Sequence, residues 1–429
     1  MNNLVIDHII PKTAEGTYYT IPFQVPDVKI ARITVSYSYP RISGKFNLIS
    51  NMVNIVDLGL LDADERFLGW SGSSRKTVYV GPYAATSGYL MTEIKPGEWH
   101  ILVGAYKIPE GGLPVHYEIT FNPLQPRWLV GDLHMHSTAS DGKHDIFTLA
   151  KMAQNKGLDF IAVSNHNNYS ENLNLPVVPG LTFIPAVEWT HYRGHMNFLG
   201  IAAPFENSFV ANSEQEMLNL VTKAREKGAL VSVNHPKCNF CPYLWHSNDC
   251  FDLVEVWNGP MRKVNMDGIA WWHDKLKEGR KIPLVGGSDF HRRGHIVRFA
   301  RPVNHVYASS PAAADILKAI SQGRNYLSAS VKGVQLDLDY GESMMGDTTP
   351  KKDGQTLSIS ASRLRPGMHL KLVNQDGVVV EWRRFKNGKL DAQVPVSASW
   401  RFAYLLVSRN LFGMEYVRAI SNPIYFDQE

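Results

Sequence analysis

The residues of this sequence that could perform chemistry are histidines and carboxylates placed after short apolar segments. Of the 16 histidines, twelve lie between residues 127 and 329, and six of these follow predicted strands, as do three carboxylates. Residues i and i+2 of a strand share a face, so His-x-His and Asp-x-His pairs can direct both side chains toward one ion. The nine candidates are His134, His136, Asp141, His166, Glu188, His195, His235, Asp289 and His291.

Imidazole and carboxylate donors together are typical of sites for Zn²⁺, Mn²⁺ or Fe²⁺. Because one ion needs only three or four protein ligands, the nine candidates predict two or three divalent ions, with Glu188 as a bridging carboxylate. Clustered divalent ions lower the pKa of bound water toward about 7 and so generate hydroxide at neutral pH. Any one of these histidines alone could be a structural residue. Their convergence predicts a hydrolase that uses metal-activated hydroxide.

A second metal pattern follows His235. The run Cys238-x2-Cys241-x4-His246-x3-Cys250 is one residue short of a zinc knuckle, so it predicts either a separate zinc or, as we favour, reduced cysteines in a loop. A Gly-x-Ser-x-Gly elbow, a P-loop and a dinucleotide-binding turn do not occur, which argues against serine hydrolase and nucleotide chemistry.

The elements that must position these residues lie in the middle of the chain. Buried strands are predicted at 129–133, 160–163, 230–233, 253–256 and 283–285, and each candidate metal ligand is expected just past the carboxyl end of a strand. Helical spacing predicts a helix over 145–156, a capping box at Ser213 opens a second helix, and Ser310-Pro311 starts a third in which Pro311 occupies the first turn. Alternating strands and helices of this kind indicate a parallel sheet or barrel.

The two flanks have the period-2 alternation of strands with one buried face. Residues 1–125 predict a β-sandwich and residues 330–429 a smaller β-domain, on either side of a metal-binding domain at 126–329. The predicted fold class is therefore α/β with two flanking β-sandwich-like domains.

Composition excludes several other classes of protein. The net charge of +4, from 44 basic and 40 acidic side chains, is too small to imply a nucleic-acid partner. No apolar run reaches about 18 residues, so no membrane partner is expected. The first residues read as neither a signal peptide nor a transit sequence, and three cysteines fit a reducing environment, so we expect a cytoplasmic protein. The oligomeric state is open.

The candidate ligands, in order and type, resemble those of the PHP (polymerase and histidinol phosphatase) superfamily of metal-dependent hydrolases. The matching positions are His134-x-His136, Asp141, Ser164-Asn165-His166-Asn167, Glu188, His195, His235 and Asp289-x-His291. Runs near Trp70 and Trp99 and the ending Asn422-Pro423-Ile424-Tyr425 look like the CehA/McbA-type branch. The resemblance implies a distorted (β/α)7 barrel between the two β-domains.

The resemblance also implies three metal positions. Their ligands would be His134, His136, Glu188 and Asp289 for the first, Glu188, His195 and His235 for the second, and Asp141, His166 and His291 for the third. The family usually carries Asp where this chain has Asn165. Asn cannot accept the proton, so we expect either altered activity at neutral pH or a catalytic role for His191 instead. With the nine ligand positions intact, we still expect an active enzyme.

A small anionic or ester substrate is expected beside the metals. Arg193, as a catalytic or binding residue, and Arg292 could clamp a phosphate, with Lys237 and Tyr169 as further candidates for substrate contact. Trp257 and Asn258 could line the same pocket. We favour hydrolysis of phosphomonoesters or phosphodiesters. The alternatives are a carbamate, ester or amide hydrolase with the same metals, and a non-catalytic module that binds glycan or protein.

Overall fold

The computed structural model describes residues 2–42, 53–247, 250–294, 296–411 and 413–427. The chain forms two compact units, Met1–Gln125 and Pro126–Glu429. Whether a further domain begins at residue 330 stays a prediction.

The strands of the first unit are β1 Asn2–Ile10, β2 Tyr18–Val25, β3 Ile30–Ser38, β4 Ile55–Leu61, β5 Phe67–Trp70, β6 Thr77–Val80, β7 Gly97–Lys107 and β8 Leu113–Pro123. They form two four-stranded antiparallel sheets, with strand orders β1-β8-β3-β6 and β2-β7-β4-β5. Strand β8 shows why the sheets form, because its alternate residues Val115, Tyr117, Ile119 and Phe121 are buried in one apolar cluster with residues of both sheets.

The second unit is built on one long mixed sheet. Its strands are β9 Arg127–Asp132, β10 Phe160–His166, β11 Thr182–His191, β12 Gly194–Leu199, β13 Leu230–Val233, β14 Leu253–Asn258, β15 Leu284–Gly287, β16 Val303–Ala308 and β17 Asn325–Ser328. They run in the order β15-β14-β13-β12-β11-β10-β9-β16-β17. The expectation of a parallel sheet is only partly right, because β12 is antiparallel to both β11 and β13, and β16 is antiparallel to β9. The (β/α)7 barrel stays a prediction.

The strands after β17 are β18 Gln335–Tyr340, β19 Ser343–Met344, β20 Thr348–Thr349, β21 Thr356–Ser362, β22 Met368–Asn374, β23 Gly377–Trp382, β24 Leu390–Pro395, β25 Phe402–Leu411, β26 Met414–Ser421 and β27 Ile424–Phe426. The long sheet continues from β17 through β26, β25, β22 and β23, and β20 and β27 also belong to it. Strand β26 pairs with β17, and β19-β18-β21-β24 form a separate small sheet. The strands predicted from the alternating apolar and polar residues of this region are therefore present. They pair mostly antiparallel, and β20 with β27 is a parallel pair.

The α-helices of the described residues are α1 Ile146–Lys156, α2 Glu214–Glu226, α3 Lys263–Lys277 and α4 Ala313–Ser321. Asp145 caps α1 through the backbone amide of Thr148, and the predicted capping box at Ser213 is confirmed. Pro311 lies outside α4, so its predicted place in the first turn is wrong. Helix α3 was not predicted. Within the described residues, none of the helices combines the length and apolarity needed to cross a bilayer.

Buried asparagines hold strand β15 in place. Asn304 exchanges two hydrogen bonds with the backbone of Gly286, its amide nitrogen lying 2.6 Å from the carbonyl oxygen. Asn325 donates to the carbonyl of Leu284, and the amide of Leu284 donates to Asn422. Since β15 leads directly into Asp289, these side chains fix the position of one edge of the candidate site.

Candidate metal centre

Two short segments lie side by side where β9 and β15 end. Met135 and Phe290 form an isolated parallel bridge, the amide of His136 donates to the carbonyl of Phe290, and the amide of Asp289 donates to the carbonyl of His134. The residues on either side of the bridge therefore face one space. They are His134, His136, Asp289 and His291. Gly287 is required here, because a Cβ atom at this position would lie 2.2 Å from Cβ of His134.

Glu188 lies at the centre of the site, with only 1% of its side chain exposed. Its two carboxylate oxygens face five imidazoles, those of His134, His136, His166, His195 and His235, at 2.9–3.5 Å. One oxygen lies 3.3 Å from Nε2 of His134 and 3.4 Å from Nε2 of His235. Glu188 therefore lies between the imidazoles of the site, and its bridging role stays a prediction.

Asp141 lies on the solvent side of the cluster, with 58% of its side chain exposed. One of its carboxylate oxygens lies 3.3 Å from Nε2 of His291 and 3.7 Å from Nε2 of His166. Asp289 reaches the same region, with an oxygen 3.0 Å from Nε2 of His136. The structure therefore brings all nine predicted side chains together.

Among the residues that the structure describes, the possible ligand atoms form three groups, in each of which all atoms lie within 4.8 Å of one another. The groups are His134, His136 and Glu188; His136, Asp141, His166 and His291; and His195, His235 and Cys241. The sequence analysis did not place Cys241 beside His195 and His235.

The expectation that each candidate lies just past the end of a strand is wrong for three residues. Glu188 is inside β11, His166 is the last residue of β10, and His195 is the second residue of β12. The reason is that β11 and β12 form an antiparallel hairpin in which Thr190 pairs with His195, so the site draws on the ends of neighbouring strands running in opposite directions.

The donor set fits a divalent cation. Nδ1 of His134 lies 2.9 Å from Oε1 of Glu255, which fixes the ring orientation. Nε2 of His134 is buried and makes no hydrogen bond, although carboxylate oxygens of Glu188 and Asp289 lie 3.3 and 3.5 Å away. A ring nitrogen that faces two carboxylates needs a positive charge at that point, which either a proton on the ring or a bound cation supplies. Carboxylate–histidine pairs of this kind orient metal ligands in known sites.

The electrostatics of the cluster favour charged carboxylates. Burial opposes a charge on His134, but Glu255, Glu188 and Asp289 outweigh it and raise the pKa of His134 well above its usual value. Burial likewise opposes a charge on Glu188, yet His134, His166 and His195 hold the pKa of this carboxyl well below its ordinary range. The carboxylate at the centre of the cluster is therefore held in its anionic form by the imidazoles around it.

Two buried acids that support the site were missed by sequence reasoning. Glu255 in β14 contacts His134 and accepts a hydrogen bond from the amide of His235. Asp132 accepts hydrogen bonds from the amides of His134 and Ser288, and burial raises its pKa to about 6. The available signal was an acidic residue inside an otherwise apolar strand, which rarely occurs without a partner.

Asn165 is turned toward neutral and acidic groups beside the site. Its side-chain oxygen accepts from the amide of Ser137 and from the hydroxyl of Ser140, and its amide nitrogen donates to Glu171 at 3.0 Å. A carboxylate in this position would face Glu171 directly. The asparagine at position 165 therefore fits the hydrogen-bond partners around it.

A cavity of about 750 Å³ opens onto the cluster. Its walls include Asp141, His235, Asp289 and His291 at the metal end, and the cations Lys143, Arg262, Lys263 and Arg292 farther out. Lys263 is paired with Asp267 at 2.7 Å, whereas no carboxylate of the described residues pairs with the other three cations. Sequence reasoning found Arg292 but missed Lys143 and Arg262, because no strand or motif singled them out.

The other residues proposed for substrate contact or catalysis are outside the walls of this cavity. The Arg193 guanidinium stacks on Trp245 at 4.5 Å, and the amide of Arg193 donates to Nδ1 of His191. Burial lowers the pKa of His191, whose ring packs 4.8 Å from that of Trp245. Nζ of Lys237 lies over the ring of Trp271.

The remaining candidates for the pocket are Tyr169, Trp257 and Asn258, and of these three Asn258 lines the cavity. Tyr169 packs against Phe205 at the edge of an apolar cluster. Trp257 is buried and donates to the carbonyl of Gly259, while Asn258 does line the cavity.

The cysteines of the predicted zinc pattern lie in two different places in the structure. Sγ of Cys238 and Sγ of Cys241 lie 3.0 Å apart beside His235, whereas Cys250 is buried against the hydroxyl of Tyr243 at 3.4 Å. The three free cysteines therefore have two different surroundings.

Comparison with known proteins gives only distant likenesses. No protein-family profile and no curated protein matches the chain. A two-domain protein from Bacteroides vulgatus, containing a predicted PHP-like metal-dependent phosphoesterase, is 17% identical with a TM-score of 0.41, over 68% of this chain and 95% of that one. An amidohydrolase from Chromobacterium violaceum is 14% identical with a TM-score of 0.27, over 39% and 89%. At these values neither likeness assigns a family or an activity to this chain.

Proposed function

We propose that this chain is a metal-dependent hydrolase of the PHP type, and that phosphoesters are its substrates. The observation that carries the proposal is the buried Glu188 carboxylate facing five imidazoles, with Nε2 of His134 left without a hydrogen bond. The residues that would hold two or three divalent ions are His134, His136, Asp141, His166, Glu188, His195, His235, Asp289 and His291. Bound ions of this kind supply an activated water and polarise the bond to be cleaved.

The chain's own residues would bind and orient the substrate. Lys143, Arg262 and Arg292 line the outer part of the cavity without carboxylate partners among the described residues, so they can neutralise an anionic group that enters it. Arginine matches phosphate through its planar set of donors. This charge pattern favours a phosphomonoester or phosphodiester over a neutral substrate.

Deeper in the site, buried acids hold the metal-facing side chains still. Glu255 orients the ring of His134 through Nδ1, and its second oxygen accepts from the backbone amide of His235 and the side chain of Asn258. Asp132 fixes the backbone of His134 and Ser288. Groups held in this way need little rearrangement when charge develops during the reaction.

A carbamate, ester or amide is the second candidate substrate class. Phe240, Val264 and Val297 line the same cavity and would contact an uncharged, apolar leaving group. The metal cluster would serve either class.

The two classes can be separated with a kinetic panel. Metal-loaded protein would be assayed on aryl phosphates, aryl phosphodiesters and aryl carbamates with the same leaving group. Our proposal predicts turnover of at least one phosphoester and a raised KM for it in Arg292→Ala. Turnover of carbamates with phosphoesters untouched would overturn the substrate assignment and leave the hydrolase assignment standing.

A further inference from the structure

A thiol stands beside two of the imidazoles proposed as metal ligands. Sγ of Cys241 lies 3.5 Å from Nδ1 of His235, and the ligand atoms of Cys241, His235 and His195 all lie within 4.8 Å of one another. The set consists of two imidazoles and one thiol. The Glu188 carboxylate lies next to both imidazoles, 3.1 Å from Nδ1 of His195 and 3.4 Å from Nε2 of His235.

The backbone brings Cys241 there through a folded loop. His235 adopts a positive φ of 30°, and the amide of Cys238 donates to its carbonyl, which turns the chain back. The amide of Tyr243 then donates to the carbonyl of Pro236 and closes the loop. The loop packs on β12 at Gly194, where a Cβ atom would lie 3.1 Å from the backbone of Tyr243. Cys241 is thus held over the first residues of β12, next to His195.

We propose that the Cys241 thiolate is a ligand of the metal ion held by His195 and His235. The inference rests on the metal-dependent function proposed above. Cys238, whose Sγ lies 3.0 Å from that of Cys241, would support the sulfur without itself being the ligand. A thiolate is softer than imidazole or carboxylate and favours Zn²⁺ or Fe²⁺ over Mn²⁺ and Mg²⁺. This position would therefore select a softer ion than the one near Asp141, whose donors are imidazole and carboxylate.

Cobalt(II) absorption tests the ligand directly, because cobalt–thiolate bonds give a charge-transfer band in the near ultraviolet that imidazole and carboxylate ligands do not give. The full chain would be stripped of metal under reducing conditions and titrated with Co²⁺ alone. We expect the band in the wild type and in the matched control Cys250→Ser, whose cysteine is buried against Tyr243. Cys241→Ser should lose the band and bind Zn²⁺ at least about tenfold more weakly.

A second measurement uses only the wild-type chain, in case Cys241→Ser does not fold. Iodoacetamide labelling followed by mass spectrometry should modify Cys241 in the metal-free protein and leave it protected after Zn²⁺ is added. Labelling of Cys241 at the same rate with and without bound Zn²⁺ would overturn the assignment. So would a cobalt-loaded wild type without the band, or a band that survives in Cys241→Ser.

These outcomes are distinguishable from failure of the proposed function. A protein that binds Co²⁺ and hydrolyses substrate without a thiolate band contradicts only the role of Cys241. A protein that binds no transition metal contradicts both.

Discussion

Nδ1 of His134 and Oε1 of Glu255 lie 2.9 Å apart, and the two side chains are only 1% and 3% exposed. The carboxylate holds the imidazole so that Nε2 points at Glu188 and Asp289. Because the pair is buried, neither group can exchange its partner for water. Glu255 is therefore a positioning residue for one face of the metal centre.

Removing the charge of Glu255 should weaken metal binding. We expect Glu255→Gln to bind Zn²⁺ at least about tenfold more weakly, since partners that orient metal-binding histidines typically contribute that much or more. Competition with a chromogenic chelator measures the affinity. Glu98→Gln, at an exposed position of the first unit, is the matched control and should bind as the wild type does. Unchanged affinity in Glu255→Gln would show that His134 needs no such support.

Placing a carboxylate at position 165 should destabilise this chain. The Asn165 amide donates to Glu171 at 3.0 Å, so Asn165→Asp would place two carboxylates against each other. We expect a loss of about 1–3 kcal/mol in the free energy of unfolding, measured by denaturant titration at pH 8. Asn165→Asp combined with Glu171→Gln should recover most of that loss. If the single variant is as stable as the wild type, Asn165 is not fixed by Glu171.

The unpaired cations of the cavity should affect substrate binding rather than metal content. Arg292→Ala should raise KM for an aryl phosphate about tenfold or more, the effect of losing one charged hydrogen bond. Lys237→Ala is the matched control, because Nζ of Lys237 lies over Trp271 and outside the cavity walls. Equal KM values for the two variants would remove the support that Arg292 gives to an anionic substrate. Metal content per chain, measured alongside, should be unchanged in both.

Buried His305 should make stability depend on pH. Burial, with a smaller contribution from Arg363, lowers its pKa from 6.5 to about 4. The unfolded chain therefore binds the proton more readily, and stability should fall as the pH drops from about 6.5 toward 4. His305→Phe keeps the packing on the Tyr326 ring, 4.5 Å away, and should remove on the order of 2–3 kcal/mol of this loss.

The measurement is denaturant unfolding of both proteins in chelator at several pH values. If the free energy of unfolding changed with pH by the same amount in the wild type and in His305→Phe, the prediction would be contradicted.

Much of the site could be read from the sequence, because its residues lie at strand ends and in short i, i+2 pairs. The pairs His134 with His136 and Asp289 with His291 were predicted from the i, i+2 rule for strands. Both pairs do face the site, although they lie just past β9 and β15 and Asp289 has a φ of 52°. His195 did not follow from that geometry, because it sits at the start of an antiparallel strand whose direction depends on pairing with β11. Local patterns do not encode which strand a segment will pair with.

What the sequence could not predict are contacts between distant parts of the chain. Glu255 reaches His134 across 121 positions, and Asn422 reaches Leu284 across 138. Lys143 and Arg262 were missed for the same reason, since their shared cavity exists only after folding. Cys241 was part of a recognised pattern, but its neighbours proved to be His235 and His195 rather than His246 and Cys250.

The central claim, that the cluster around Glu188 is a metal centre that performs hydrolysis, is tested most directly by metal removal and return. Protein stripped with a chelator would be assayed for metal content and aryl phosphate hydrolysis, before and after Zn²⁺ or Mn²⁺ is added, beside Glu188→Gln. We predict two or three ions per wild-type chain, activity that is lost and regained with them, and neither in the variant. Hydrolysis that persists without metal, or a wild type that binds none, would contradict the account.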